Sequence, residues 1–270
     1  MKLKEYVYML GIKPAAKKYG YTVNTFELPE YGTVDYAQWL HPREKPKAIE
    51  IGPVQELKKF IKPGDLCIDI GAHSGDTALP MGLAAGPEGK VLAFEPNSYV
   101  FPVLNKNATL NRDKTHIVPI MLAAGTDDED MVFEYSDPGF CNGGHHENID
   151  KWQHGHAFEL TVTSTNALDY LQKRYADDLP KLSYIKTDAE GFDLAILQNL
   201  APLIEEYRPV IMSEIFKHTS AEYRDGMFAF FNDRNYSITR VNSETNLQGE
   251  PLKQEDLHAT RHLDIICFPQ

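Results

Sequence analysis

The chain has 270 residues, of which 42% are hydrophobic, so it can bury a complete core as one domain. Its 39 Asp and Glu residues outnumber 27 Lys and Arg residues, which gives a net charge of −12 and argues against a nucleic-acid partner. No apolar stretch approaches the roughly 20 residues that span a bilayer, so we predict no membrane span.

The three cysteines favour a reducing compartment. Cys67, Cys141 and Cys267 are odd in number and far apart, so we predict no disulfide framework and a cytoplasmic location. Near the N-terminus, the apolar run 6–12 is short and contains Gly11. We interpret this run as a small amphipathic helix and not as a secretory leader.

The first 52 residues differ in composition from the rest. They carry glycines and prolines at positions 20, 29, 32, 42 and 46, between short aromatic segments. This pattern predicts an irregular N-terminal cap over residues 1–52, packed on a main domain of residues 53–270.

Strands and helices alternate along the main domain. Strands are predicted at 66–69, 90–94, 117–121, 131–135, 158–163, 183–188, 210–214, 236–241 and 263–268. Helices are predicted at 54–61, 77–85, 98–111 with a late start near Pro102, 166–171, 192–200 and 221–233. The alternation predicts an α/β fold with a largely parallel sheet and helices on both faces.

A glycine-containing turn follows the first of these strands. Gly71 and Gly75 are four residues apart and precede a helix, which is typical of a nucleotide-binding crossover. The spacing is not the Gly-x-Gly-x-x-Gly of dinucleotide sites. Glu95 ends the next strand, where a carboxylate can accept hydrogen bonds from ribose hydroxyls. The alternative leaves Asp69 as a helix cap and Glu95 as a surface charge.

Acidic residues end four of the predicted strands. They are Asp69, Glu95, Asp188 and Glu214. Ligands of parallel α/β sheets lie beyond the carboxyl ends of the strands, so this repetition predicts a ligand site at that edge.

Three motifs resemble one known family. Residues 69–75 (DIGAHSG), 93–96 (AFEP) and 185–193 (IKTDAEGFD) together resemble the FkbM family of S-adenosylmethionine (SAM)-dependent O-methyltransferases, over about residues 54–241. The resemblance implies a Rossmann-like, seven-stranded methyltransferase sheet with a reversed last hairpin. It also implies methylation of a hydroxyl on a sugar, glycan or glycosylated natural product, and hence a small-molecule or glycan acceptor.

The resemblance also implies which residues hold SAM. Gly71, Ala72 and Gly75 would line its methionine and ribose side, and Glu95 would hold the ribose hydroxyls. Asn97 and Ala124 would flank the adenine. The full predicted cofactor-binding set is Asp69, Gly71, Ala72, His73, Gly75, Glu95, Asn97 and Ala124. His73 stands where the family commonly has Asn.

Transfer to an alcohol needs a general base or a cation, because a protonated hydroxyl is a poor nucleophile. The predicted catalytic residues are Asp188, Glu190, Glu214 and His146. Asp188 and Glu214 end neighbouring strands and, with His218, form the predicted set for Mg²⁺ or Mn²⁺. Without a cation, one of the carboxylates or a loop histidine is the base. The alternatives are a helix-dipole role for Glu190 and a surface position for His218.

A long glycine-containing segment, 136–156, carries Cys141 and four histidines, His145, His146, His154 and His156. Its length predicts a mobile cover over the acceptor site. The spacing lacks the ligand pairs typical of zinc sites, so solvated histidines or a substrate contact are the preferred interpretations.

Two other functions share these features. A nicotinamide-dependent oxidoreductase would also use a glycine turn and an acidic second strand end, but the missing third glycine and the acidic turn at 188–191 disfavour it. A catalytically inactive ligand-binding module is disfavoured by the acids at the strand ends.

Overall fold

The computed structural model describes residues 12–141, 143–144 and 158–270. The strands are β1 (Tyr21–Leu28), β2 (Gly32–Trp39), β3 (Leu66–Ile70), β4 (Lys90–Phe94), β5 (Ile117–Ile120), β6 (Ala123–Gly125), β7 (Asp130–Tyr135), β8 (Gly143–Gly144), β9 (Phe158–Asn166), β10 (Leu182–Thr187), β11 (Val210–Ile215), β12 (Tyr236–Arg240) and β13 (Leu263–Pro269). The α-helices are α1 (Ile51–Leu57), α2 (Ala78–Ala85), α3 (Phe101–Leu110), α4 (Ala167–Tyr175), α5 (Asp193–Asn199), α6 (Ala201–Tyr207) and α7 (Ala221–Asn232).

The central sheet has seven strands in the order β12-β13-β11-β10-β3-β4-β5. The pairs β11/β10, β10/β3, β3/β4 and β4/β5 are parallel, whereas β13 runs antiparallel to both of its neighbours. The predicted α/β class is therefore confirmed, together with the seven-stranded sheet and its reversed last hairpin. The order reverses between β3 and β10, which is where α/β sheets bind ligands.

Helices cover both faces because side chains alternate along each buried strand. On β3, Leu66, Ile68 and Ile70 pack into one core with residues of α4 to α7, while Cys67 packs into the opposite core with residues of α1, α2 and α3. The helix near Pro102 begins at Phe101, as predicted, since proline is tolerated in a first helical turn.

The prediction of an irregular cap is wrong for its central part. β1 and β2 form a regular antiparallel hairpin in which Tyr21 pairs with Trp39 and Leu28 with Gly32. The chain reverses through Glu30 and Gly32, both with positive φ, so glycine here closes a hairpin. Buried hairpin side chains share the core of α1 and α2. The proposed domain boundary at 52/53 falls inside α1.

A second, four-stranded sheet has the order β6-β9-β7-β8, and its strand β6 follows β5 after two residues. All three cysteines are free and buried. None of the helices within the described residues is long and apolar enough to cross a membrane.

Candidate functional site

The turn after β3 touches the turn after β10. Gly71 has φ +76°, and a Cβ there would collide with the backbone oxygen of Asp188. The Gly71 and Ala72 amides donate to the Phe94 carbonyl at 3.1 and 3.0 Å, which ties the turn to β4. Gly71 is thus required both by its left-handed backbone and by the close approach of the two turns.

Glu95 is held by the same turn. Its Oε2 accepts a hydrogen bond from the His73 amide at 2.9 Å, and its Oε1 accepts one from the Asn97 amide at 2.8 Å. Burial raises the pKa of the Glu95 carboxyl, although His73 and the two amides oppose this. Each carboxylate oxygen keeps a further lone pair, so Glu95 can accept ligand hydroxyls in a fixed orientation.

A buried ion pair lies beneath the turn. Asp69 is fully buried; its Oδ2 accepts from the Thr77 hydroxyl at 2.7 Å, and its Oδ1 lies 3.5 Å from the Lys186 Nζ. Lys186 also donates to the Gly71 carbonyl at 3.0 Å. Burial alone would lower the pKa of Lys186, but Asp69 and Asp188 hold this pKa above its ordinary value. Lys186 therefore joins β3, the glycine turn and β10 as a cation.

The turn after β10 presents Glu190 in a left-handed conformation, with φ +53°. Asp193, at the start of α5, accepts from the Ala189 amide at 3.0 Å and from the Gly191 amide at 3.2 Å, and so fixes the backbone on both sides of Glu190. Burial, followed by the charge of Asp188, raises the pKa of Glu190 to about 7 and that of Asp193 to about 6.

Glu214 lies on β11 beside these acids. Its Oε1 is 2.9 Å from the Nδ1 of His262, and Asp264 is its cross-strand neighbour. Burial, with the charges of Asp188 and Glu190, raises the pKa of Glu214 well above its usual value. Glu214 therefore stays protonated at neutral pH.

An open cleft runs along these turns, with two adjoining chambers of about 690 and 800 Å³. Residues that line both chambers are Gly71, His73, Glu95, Cys141, Gly143, Asp188 and Glu190. One chamber continues over apolar side chains, namely Leu122, Ala124, Met131, Phe133, Tyr135, Phe192 and Ile196. The other continues past polar and charged groups, namely Glu44, Lys47, Asp76, Thr77 and Lys186. The cleft can thus accept a ligand that is apolar at one end and charged at the other.

The predicted cofactor-binding residues divide into two layers. Gly71, His73, Glu95, Asn97 and Ala124 line the cleft. Asp69, Ala72 and Gly75 are buried and lie outside the set of lining residues. The last three shape the turn from below, because their groups face the interior of the protein.

The predicted metal set is not assembled. Asp188, Glu214 and His218 do not bring their ligand atoms within 4.8 Å of one another, and His218 lies against the Phe216 ring at 5.4 Å. Asp188 and Glu214 share a side-chain hydrogen bond, and Asp188 also lies 3.5 Å from Lys186. We therefore correct the prediction of an Mg²⁺ or Mn²⁺ site on these three residues. The repulsion between the carboxylates is reduced by Lys186 and by protonation of Glu214.

The segment 136–156 begins as ordered structure. Asp137 accepts hydrogen bonds from the Gly139 amide at 2.9 Å and from Arg43, and it contacts His41 at 2.9 Å. Phe140 and Cys141 are buried, so the predicted mobile cover cannot begin before residue 142. His145, His146, His154 and His156 lie outside the described residues.

Sequence reasoning missed Lys186 and Asp193 as site residues. A lysine in an otherwise buried strand is a usable signal, because an isolated charge there needs a partner. Asp193 has the spacing of a residue that caps the preceding turn, three positions after Glu190.

Comparisons with known proteins identify the family of this chain. The methyltransferase FkbM domain family matches residues 69–238. Hexuronic acid methyltransferase AglP from Haloferax volcanii is 24% identical over 200 residues, which are 74% of this chain and 70% of that protein. The structure of a methyltransferase FkbM from Methylobacillus flagellatus has 15% identity and a TM-score of 0.47, over 80% of this chain and 50% of the other. Aeropyrum pernix fibrillarin with bound SAM has 15% identity and a TM-score of 0.44, over 93% and 98% of the two chains.

Proposed function

Because the chain belongs to the FkbM methyltransferase family, we propose that it transfers a methyl group from SAM to a hydroxyl group of a sugar or glycan. One observation carries the choice of a hydroxyl: Glu190, whose pKa is about 7, lines the same cleft as Glu95. A base of this pKa suits an acceptor that must lose a proton near neutral pH. The relative that is named for hexuronic acid supports a sugar as the acceptor.

The residues of the cleft fit SAM. Gly71 lines the cleft, and its lack of a side chain lets the turns after β3 and β10 meet there. We propose that Glu95 accepts the ribose hydroxyls, since two amides already orient its carboxylate. Asn97 and Ala124 would lie beside the adenine, in the chamber with apolar walls. When bound, SAM supplies a methyl group that is activated by its sulfonium charge.

Among the four predicted catalytic residues, Glu190 is the best base. Glu214 is protonated at neutral pH and so cannot accept a proton. Asp188 is 47% exposed, and its charge already forms an ion pair with Lys186. His146 lies outside the described residues. Asp188 instead acts on Glu190, because the charge of Asp188 helps to raise the pKa of Glu190.

The proposed reaction is a displacement at the methyl carbon. The acceptor oxygen forms a bond to the methyl carbon as the carbon–sulfur bond breaks, and the hydroxyl proton passes to the Glu190 carboxylate. The rate then depends on holding the acceptor in line, which a cleft with walls from both turns can do. The ionised form of Glu190 is the active one, so the rate should rise with pH up to about 7.

The test uses the full chain, SAM with an isotope-labelled methyl group, and a panel of sugars and glycans that includes uronic acids. Mass spectrometry should detect labelled product that survives mild alkali, since methyl ethers resist hydrolysis. A uronic acid also offers a carboxylate, which needs no base to accept a methyl group. A labelled product that is lost in mild alkali would be an ester and would overturn the hydroxyl assignment.

A further inference from the structure

Three side chains from distant parts of the sequence converge on one wall of the cleft. Glu44, His73 and Cys141 each offer one ligand atom, and these atoms lie within 4.8 Å of one another. We propose that they bind a transition-metal cation of the zinc class. The proposal stands on these donors alone and is independent of the methyl acceptor.

The chemistry of the donors selects the metal. A sulfur, an imidazole nitrogen and a carboxylate oxygen are all ligands of Zn²⁺, whereas Mg²⁺ and Mn²⁺ prefer sets of oxygens. In a tetrahedral zinc site, bond lengths of about 2.0–2.3 Å place the donor atoms about 3.5 Å apart. Shifts of about 1 Å in the side chains would therefore close the present arrangement around an ion.

Glu44 is poised for such a partner. Its side chain is 9% exposed, and its buried Oε1 has no hydrogen-bond donor among the residues that the structure describes. The nearest cation, the Nζ of Lys47, is 3.5 Å away and makes its short contact with Asp76, at 2.5 Å. Glu44 thus shares Lys47 with Asp76, and its carboxylate keeps lone pairs that a cation could take.

The other two donors are held by their backbones. His73 has φ +47°, its amide is bonded to Glu95, and its ring meets the Trp39 ring edge-on at 5.5 Å. Histidine is one of the residues that are enriched in this left-handed conformation, and the hydrogen bond to Glu95 holds the backbone in it. The amide of Cys141 lies 3.4 Å from Asp137, the residue that also holds His41.

A bound cation would join three segments that the sequence separates. Glu44 follows the cap hairpin, His73 belongs to the glycine turn, and Cys141 precedes the part of the segment 136–156 that carries the histidines. The ion would fasten the cap to the cofactor side of the cleft. Three protein ligands leave a fourth position for water or an acceptor oxygen.

The experiment titrates metal-free full-length protein with Co²⁺, a spectroscopic substitute for Zn²⁺. We expect one equivalent to bind with thiolate-to-cobalt absorption in the near ultraviolet, and we expect Zn²⁺ to displace it while Mg²⁺ does not. Cys141→Ser should abolish the absorption and weaken Zn²⁺ binding by at least about 100-fold. Glu44→Gln should weaken Zn²⁺ binding and keep the absorption.

The matched control is Cys267→Ser, which alters a buried cysteine on β13, away from the cleft. It should keep both the absorption and the affinity. Circular dichroism of each metal-free variant verifies that it is folded. The proposal is overturned if wild-type protein binds no stoichiometric Co²⁺, if the absorption persists in Cys141→Ser, or if cobalt binds without thiolate absorption, which would place it on the loop histidines.

Discussion

Two turns face each other across the cleft, and they differ in how many carboxyl groups each gathers and in what holds those groups. In the glycine turn, residues 69–77, each buried carboxylate has partners: Asp69 has Thr77 and Lys186, and nearby Glu95 has two backbone amides. In the acidic turn, residues 188–193, four carboxyls including Glu214 accumulate around one buried lysine. Three of the four, those of Glu190, Asp193 and Glu214, have a raised pKa.

The difference indicates a division of labour. A turn in which hydrogen bonds already orient Asp69 and Glu95 is arranged for its ligand in advance, which suits the tight holding of a cofactor. A turn with crowded acids stores unfavourable electrostatic energy and keeps a carboxyl near the pKa that proton transfer needs. We therefore expect substitutions in the first turn to affect folding and SAM affinity, and substitutions in the second to affect turnover.

The largest expected effect is on catalysis. Glu190→Gln keeps the shape of the side chain but removes the proposed base, so kcat should fall by about 10²- to 10⁴-fold. In wild-type protein, kcat should rise with pH up to about 7, and this limb should disappear in the variant. A variant with kcat within a factor of about three of wild type would break the assignment of Glu190.

A loss of stability should follow removal of the cation that serves both turns. Lys186→Met leaves Asp69 fully buried without its positive partner, so the free energy of unfolding should fall by about 3–5 kcal/mol, as measured with urea. The control Lys173→Met removes an exposed ion pair with Asp169 and should change the free energy of unfolding by less than about 0.5 kcal/mol. Similar small changes for both variants would show that the buried pair contributes little.

A smaller effect is expected on the cofactor side. Glu95→Ala removes charge-assisted hydrogen bonds to the ribose, worth about 1.5–3 kcal/mol, so SAM affinity should fall by about 10- to 150-fold. Calorimetry with SAM measures the affinity. Circular dichroism is needed to verify the fold, because two buried amides lose their acceptor in this variant. Glu190→Gln is the matched control and should bind SAM as wild type does. Equal affinity in all three proteins would remove Glu95 from the cofactor site.

The sequence predicted most of the sheet and one side of the site. Local patterns were enough to predict the parallel strands and the position of Glu95 at the end of β4. An apolar run followed by an acidic residue can be recognised within a few consecutive residues. The hairpin of β1 and β2 was not predicted, because residues such as Pro29 and Gly32 are also typical of irregular chain. In fact they flank the tight turn between two strands rich in Thr, Val and Tyr.

Convergence in space was harder to predict. Nothing in the spacing of Glu44, His73 and Cys141 indicates that they meet, because each lies on a different connection between elements. The failure of the Asp188, Glu214 and His218 set has the opposite cause. Adjacency of β10 and β11 was correct, and the Asp188 and Glu214 side chains do meet. His218 lies beyond the end of β11, and its ring lies against the Phe216 ring.

The smallest effect tests whether the acidic turn is strained. Burial raises the pKa of Glu190 from 4.5 to about 7, so between these values the folded state holds a proton that the unfolded state has lost. Its contribution to stability is therefore fully present below pH 4.5 and is lost as pH rises through about 7. Glu190→Gln should leave the free energy of unfolding unchanged at about pH 4 and increase it at about pH 8, by on the order of 3 kcal/mol. Glu250→Gln, an exposed control, should change it little at either pH. If the Glu190→Gln variant is no more stable than wild type at the higher pH, the acidic turn stores no strain and the contrast between the two turns fails. If the variant is more stable but inactive, the crowding of the carboxyls serves catalysis at the expense of the fold.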